Sequence, residues 1–158
     1  MQYASVDTYL PFAGDLAQAC IPLGFFAAFC LQHQLLSPEV ECDHPEIASQ
    51  CRFQEGPVSA LFVALGAELS DQHFSPRGQI FAARVLPEYR EAFCALFGDD
   101  CWQIKDEWPQ YQRIAKILVR ELHGRPQTQK TSWAGRVLSK IRKLRLTQNF
   151  SKDRKSVV

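Results

Sequence analysis

The 158 residues contain no glycine-rich phosphate loop, no nucleophile elbow, no His-Glu-x-x-His and no C-x-x-C pair. The usual short signatures of phosphoryl transfer, acyl transfer and zinc chemistry are therefore missing. Long apolar runs are missing too. The longest, Cys20 to Leu31, spans about 12 residues and includes Pro22 and Gly24, well short of the ~20 needed to cross a bilayer; it predicts a buried helix instead. Met1 to Asp15 is mixed and mildly acidic. It has no charged start, apolar centre and small-residue cleavage site, so export is not expected and the cytoplasm is the expected location. No internal repeat is present.

Acid is scarce in one place only. The last 34 residues hold Asp153 alone against 10 Lys and Arg, whereas the chain up to Gly124 holds 16 Asp and Glu against 8 Lys and Arg. The overall net charge of +1 conceals this split. A like-charged block at one end usually serves interaction, either with an external polyanion or with the protein's own acidic face. Apolar content of 46% allows one sizeable core. The expected organisation is an acidic helical domain over residues 1–124, followed over 125–158 by a basic C-terminal helix and frayed tail.

Six cysteines stand at 20, 30, 42, 51, 94 and 101. Most lie in apolar or helix-like surroundings, where a free thiol behaves as a small hydrophobe, and the expectation is that they are reduced. Cys42, Asp43 and His44, with Cys51 following, form the one local cluster with the residue types of a zinc site or a Cys/His catalytic pair. Zinc ligands usually come in tight pairs, and a nucleophile and its base usually meet through the fold rather than two residues apart. A polar surface loop accounts for the cluster more simply, as it does for His73 beside Asp71. No metal, no cofactor and no catalytic residue is expected.

Apolar spacing predicts helices throughout. Pro22 suits a first turn, and Phe25, Phe26, Phe29, Cys30 and His33 recur at three- and four-residue steps until Ser37-Pro38. Glu39 to Glu55 has no clear period and reads as an exposed loop with at most one turn of helix. Pro57 opens a short helix, Val58 to Leu65, ended by Gly66. Ser75-Pro76 caps a helix through Ile80, Phe81, Arg84 and Val85, which Pro87 should kink or split; Tyr89, Phe93, Leu96 and Phe97 continue its face to Gly98. Asp106 can cap a further helix with Trp108, Tyr111, Ile114, Ala115, Leu118 and Leu122 on one stripe, stopped at Gly124. Cys101 to Ile104 is the single strand candidate. The fold class is all-α, a compact single-domain helical bundle with an amphipathic basic C-terminal helix.

In that last helix, capped by Thr131 or Ser132, Trp133, Val137, Leu138, Ile141 and Leu144 form one side. Arg136, Lys140, Arg142, Lys143 and Arg145 cover much of the rest. Docking on the acidic body, contact with nucleic acid or an anionic membrane, and a loosely ordered end all fit this pattern. Asn149 to Val158 lacks an apolar stripe and is expected to fray.

Two segments carry a family resemblance. Ile21-Pro22-Leu23-Gly24-Phe25-Phe26-Ala27-Ala28-Phe29, running to Leu35-Leu36, is similar to a Gly-Phe-Phe-x-x-Trp helix. Gly66-Ala67-Glu68-Leu69-Ser70, then Phe74 to Ala82, then Tyr89, Phe93 and Asp106-Glu107-Trp108-Pro109-Gln110-Tyr111, resembles a short acidic turn, a helix with Gly-x-x-Phe-Ala, a tyrosine-rich stretch and an Asp-x-Trp-x-x-Tyr. Both likenesses are to a family of uncharacterised bacterial cytosolic domains often encoded beside toxin genes. Phe29 replaces that family's tryptophan, and Val85 and Leu86 replace its paired tyrosines; the likeness covers roughly residues 15 to 123. It implies a helical domain that binds another protein, with immunity toward a neighbouring bacterial toxin as the leading example.

Acidic surfaces suit such a role, because they steer association with cationic partners. Glu39, Glu41, Asp43 and Glu46 form one expected cluster. Asp99, Asp100, Asp106 and Glu107 form another, beside Trp102 and Trp108 as candidate aromatic anchors. A cognate toxin or other protein is the expected partner, with nucleic acid or membrane as the alternative through the basic helix.

Overall fold

The computed structural model describes residues 1–124 and 133–153 of the chain. They form a compact helical fold with eight α-helices and one two-stranded sheet among the described residues. The all-α expectation holds for everything but that ribbon, in which β1 (Gln2–Ser5) pairs antiparallel with β2 (Glu68–Ser70). Of residues 66–70, read from sequence as an acidic turn, Gly66 and Ala67 do turn the chain and Glu68 to Ser70 form the strand. Cys101 to Ile104, the strand candidate, is irregular; four residues with no neighbouring edge to pair with cannot satisfy their backbone as a strand.

A short helix, α1 (Val6–Ala13), follows β1 and ends at Gly14, whose φ of 72° turns the chain into α2 (Leu16–Gln32). The second helix begins six residues before Pro22, not at it. It is buried without a break from Ala19 to Leu31, as expected of a helix that is apolar all round. Pro22 sits in its interior, where the missing N–H leaves a carbonyl one turn earlier without its usual donor. The carbonyl of Pro22 itself accepts the buried hydroxyl of Tyr89 at 2.6 Å.

The stretch read as a loop after Pro38 folds as two short helices, α3 (Pro38–Asp43) and α4 (Pro45–Arg52). Each starts on a proline and buries only one or two side chains, Val40 in the first and Ala48 with Cys51 in the second. That is too few to leave a periodic trace in the sequence. After α5 (Ala60–Ala64) comes β2, a 3-10 turn at Asp71–His73, and α6 (Pro76–Phe97). Ser75 caps α6 by accepting the N–H of Gly78 at 3.1 Å. The helix runs through Pro87 without splitting, since Leu86, Tyr89 and Phe93 on either side of it are all buried and their packing outweighs one lost backbone bond. It ends at Gly98, where φ is 73°.

The core is aromatic. Phe26 of α2 stacks on Phe81 of α6, with centroids 5.8 Å apart and planes 6° from parallel, and meets Tyr89 edge-on at 5.4 Å. Phe25 meets Tyr111 of α7 (Trp108–His123) edge-on at 6.0 Å. Two glycines in the sequence signatures have packing causes. A Cβ on Gly24 would lie 2.5 Å from that of Ser59, and one on Gly78 would lie 1.9 Å from the carbonyl oxygen of Leu35.

The last helix, α8 (Trp133–Asp153), lies against α6. It buries Trp133, Ala134 and Val137 in the common core. Ala134 donates its N–H to Glu88 at 3.3 Å, and Arg136 pairs with Glu121 at 3.0 Å. Leu138 and Leu144, assigned to the apolar stripe from sequence, are 39% and 65% exposed. Leu144 lies at nearly the helical angle of Trp133 and Val137, yet it is exposed where they are buried. The caps proposed at Thr131 and Ser132, and the end of the tail from Arg154, lie outside the described residues.

Candidate functional site

The two acidic clusters expected from sequence are each divided by the fold. Glu39 and Asp43, on α3, line a cleft of about 620 Å³ together with His44, Asp71 and His73. Glu41 instead forms an ion pair with Arg52 of α4, and the hydrogen bond from that guanidinium holds its carboxyl below the usual range. Glu46 stands exposed on α4. The cleft gathers the imidazoles and carboxylates that sequence reading treated as two unrelated surface pairs. His73 is buried, and its Nδ1 accepts the N–H of Ser70 at 3.1 Å. That bond fixes the proton of the neutral ring on Nε2. Burial pushes the His73 pKa down, opposed by Glu68 and reinforced by His44.

In the second cluster, Asp99 and Asp100 stand exposed on the 3-10 turn that follows α6. Trp102, two residues on, is half-buried against α1. It stacks on Phe12, with centroids 5.9 Å apart and planes 15° from parallel, and meets Tyr9 edge-on at 6.0 Å. Phe12 is 52% exposed, and the guanidinium of Arg90 covers its ring at 4.2 Å. Sequence reading missed Phe12, because a lone aromatic in a short helix carries no signal of what it will stack on.

Asp106 is half-buried and its carboxylate is engaged within the fold. Its carboxylate accepts the N–H of Ser59 at 3.0 Å and the Ser59 hydroxyl as well. Nor does it cap α7, a position held by Glu107, which is exposed and makes no side-chain capping bond. Trp108 is half-buried, packs edge-on against Tyr111 at 5.1 Å and donates its indole N–H to the carbonyl of Gly56 at 3.0 Å. It is tied down as part of the fold.

The loop carrying Trp102 goes on to wall an apolar groove of about 600 Å³ through Gln103 and Ile104. Leu16 of α2 and Val63 of α5 line the same groove and are 57% and 55% exposed. A half-exposed stacked aromatic pair, two exposed carboxylates and an apolar groove thus adjoin along one loop. Apolar centres with charged rims are the anatomy of protein interfaces.

On α8, Lys140, Arg142, Lys143 and Arg145 are exposed and Arg136 is half-buried in its pair with Glu121. A side chain at Gly98 would come within 3.9 Å of the Arg145 guanidinium, which brings the basic helix to the turn that bears Asp99 and Asp100.

The cysteine and histidine cluster is spread out. Cys42 is exposed on α3, whereas Cys51 is buried on α4, where burial pushes its thiol up to about 12. Among the described residues, no group of three or more His, Cys, Asp or Glu is placed to hold a metal ion. No helix among them is long and apolar enough to cross a membrane.

A family model described as "Domain of unknown function (DUF7832)" matches residues 6–106. The match starts at α1 and stops before α7, so it takes in the Phe12–Trp102 pair and leaves α7 and α8 beyond it. No curated protein and no solved structure matches the chain.

Proposed function

We propose, for a chain that belongs to the DUF7832 family, a non-enzymatic domain that binds a cationic partner protein. The observation that carries this reading is the half-exposed Phe12–Trp102 stack beside the exposed Asp99 and Asp100. Stacked aromatics bury a large area at little entropic cost, and flanking carboxylates speed encounter with a basic surface. The net charge of −8 over residues 1–124, from 16 acids against 8 bases, favours the same class of partner. Within that class we propose immunity: neutralisation, in the bacterial cytoplasm, of a toxin encoded beside this gene by one-to-one binding.

Co-expression with the product of the adjacent gene tests the proposal. Growth should be rescued from a toxic neighbour by the wild-type chain. Reversing Asp99 and Asp100 to lysine should slow association about tenfold at low salt, and Trp102→Ala should raise the off-rate. Asp106 is left unchanged because of its bond to Ser59. A harmless neighbour, or rescue and association rates unaltered by all three substitutions, would remove the basis of the reading.

A second reading rests on α8, whose exposed Lys140, Arg142, Lys143 and Arg145 suit a polyanion such as nucleic acid or an anionic membrane. Binding of that kind would be non-specific and steeply salt-dependent.

A further inference from the structure

Cys94 lies in the last turn of α6, half-buried, and Cys101 lies just past the 3-10 turn, buried. Gly98, with φ at 73°, reverses the chain between them, and the N–H of Cys101 closes the turn onto the Gly98 carbonyl at 3.1 Å. The reversal brings the two Sγ atoms to 2.8 Å, with both thiols free. That separation is closer than two unbonded sulfurs ordinarily rest, yet beyond the ~2.05 Å of a disulfide. The other four cysteines have no such neighbour among the described contacts.

We propose that Cys94 and Cys101 form a thiol-modification site that a small disulfide oxidant, of the glutathione disulfide class, converts to an intramolecular disulfide. Cys94 is the more accessible of the two and meets the oxidant. Its thiolate attacks one sulfur of glutathione disulfide, expelling one glutathione thiolate and leaving Cys94 in a mixed disulfide. The Cys101 thiolate then attacks the Cys94 sulfur, forming the Cys94–Cys101 bond and expelling the second glutathione. The two protons lost by the protein end on the two released thiols, and the two electrons reduce the oxidant's disulfide.

The surroundings of Cys94 make exchange at this pair slow. Burial first, and the contact with Cys101 second, push the Cys94 thiol up to about 12, with Arg90 opposing. Little thiolate is present near neutrality, so the rate should rise with pH while the short contact favours resolution once the mixed disulfide exists. The closed ring contains Asp99 and Asp100 and ends one residue before Trp102. Oxidation would therefore fix the turn that presents those side chains. This chemistry stands whether or not the chain binds a toxin.

The test uses the full chain, incubated with glutathione disulfide until exposed Cys42 carries a glutathione adduct, then alkylated and digested with trypsin. Cleavage after Arg90 and Lys105 puts both cysteines in one peptide. The expected result is that this peptide loses two hydrogens, resists alkylation, and recovers both on treatment with dithiothreitol. Cys101→Ser should instead retain a glutathione on Cys94, because the resolving thiol is gone, with helical circular dichroism unchanged. Two alkylated thiols in that peptide alongside a modified Cys42, or a stable glutathione adduct on wild-type Cys94, would overturn the proposal.

Discussion

The carboxylate of Asp106 holds both the backbone N–H and the hydroxyl of Ser59, the N–H at 3.0 Å, tying the loop before α7 to the start of α5. Ser59 is buried. Replacing Asp106 with alanine leaves two buried donors without a partner, and bonds of this charge-assisted kind contribute about 1.5–3 kcal/mol each to make or break. Asp106→Ala should lower the urea midpoint by an amount equivalent to about 3 kcal/mol or more, and Ser59→Ala by less, since alanine keeps the N–H bond. A midpoint within error of wild type for Asp106→Ala would show that the carboxylate is dispensable.

Gly78→Ala pits helix propensity against packing. Alanine gains up to about 1 kcal/mol of propensity in a helix interior. Here its methyl would lie 1.9 Å from the Leu35 carbonyl oxygen, which also accepts the N–H and the hydroxyl of Ser75 at 3.0 and 3.1 Å. Separating α6 from that carbonyl disturbs both bonds, so the packing loss of about 3 kcal/mol or more should win. Gly24→Ala, facing Ser59 at 2.5 Å, should cost about 1–3 kcal/mol by the same reasoning. Differential scanning calorimetry of the two variants would reveal either sign.

These glycines mark how far the sequence could be read. Their places within apolar helices were visible, as were the caps at Ser75 and Gly98, because each is a local property of a few neighbouring residues. What they touch was not, since Ser59 and Leu35 approach only through the fold. The same limit separates Trp102, whose proximity to acids is written in the chain, from Phe12, which reaches it across 90 residues. Asp106 was read only in part for that reason: beside Glu107 it looks like surface charge alone, and only the approach of Ser59 gives it a structural task as well. Helices α3 and α4 escaped notice because their burial is too sparse to repeat.

Acid sensitivity should begin with the histidines. Burial lowers the pKa of His73, and burial reinforced by His123 and Arg77 lowers that of His33, both from an ordinary 6.5. The unfolded chain therefore binds these protons first. Stability is fully present above about pH 6.5 and falls as pH drops from there through the lowered folded values. The carboxylates of Glu41 and Asp71, held below 4.5 and 3.8, withdraw their contribution only in more acidic solution. Denaturation midpoints measured from about pH 7 to about pH 5 should fall in wild type and fall less in His73→Gln. A flat profile over that window would mean that the two imidazoles remain solvated.

Deleting the basic helix would not cleanly test what its charges do, because Trp133, Ala134 and Val137 belong to the core and their removal would uncover α6. Trp133→Ala alone should cost about 3–5 kcal/mol. Trp133→Phe should be close to neutral, because the buried indole N–H has no hydrogen-bond partner among the described residues and phenylalanine removes that donor while keeping most of the apolar area. The charges are better addressed from outside. Lys140, Arg142 and Arg145 are exposed, so changing all three to glutamate spares the packed face. If α8 serves a polyanion, the wild-type chain should bind a generic DNA duplex or anionic vesicles, and the triple variant should lose that binding together with most of its salt dependence. If α8 serves only to cover α6, the variant should match wild type in partner binding and bind neither polyanion, as the wild type would not. Equilibrium binding at two salt concentrations separates the two cases, with thermal melts confirming that the triple variant keeps its fold.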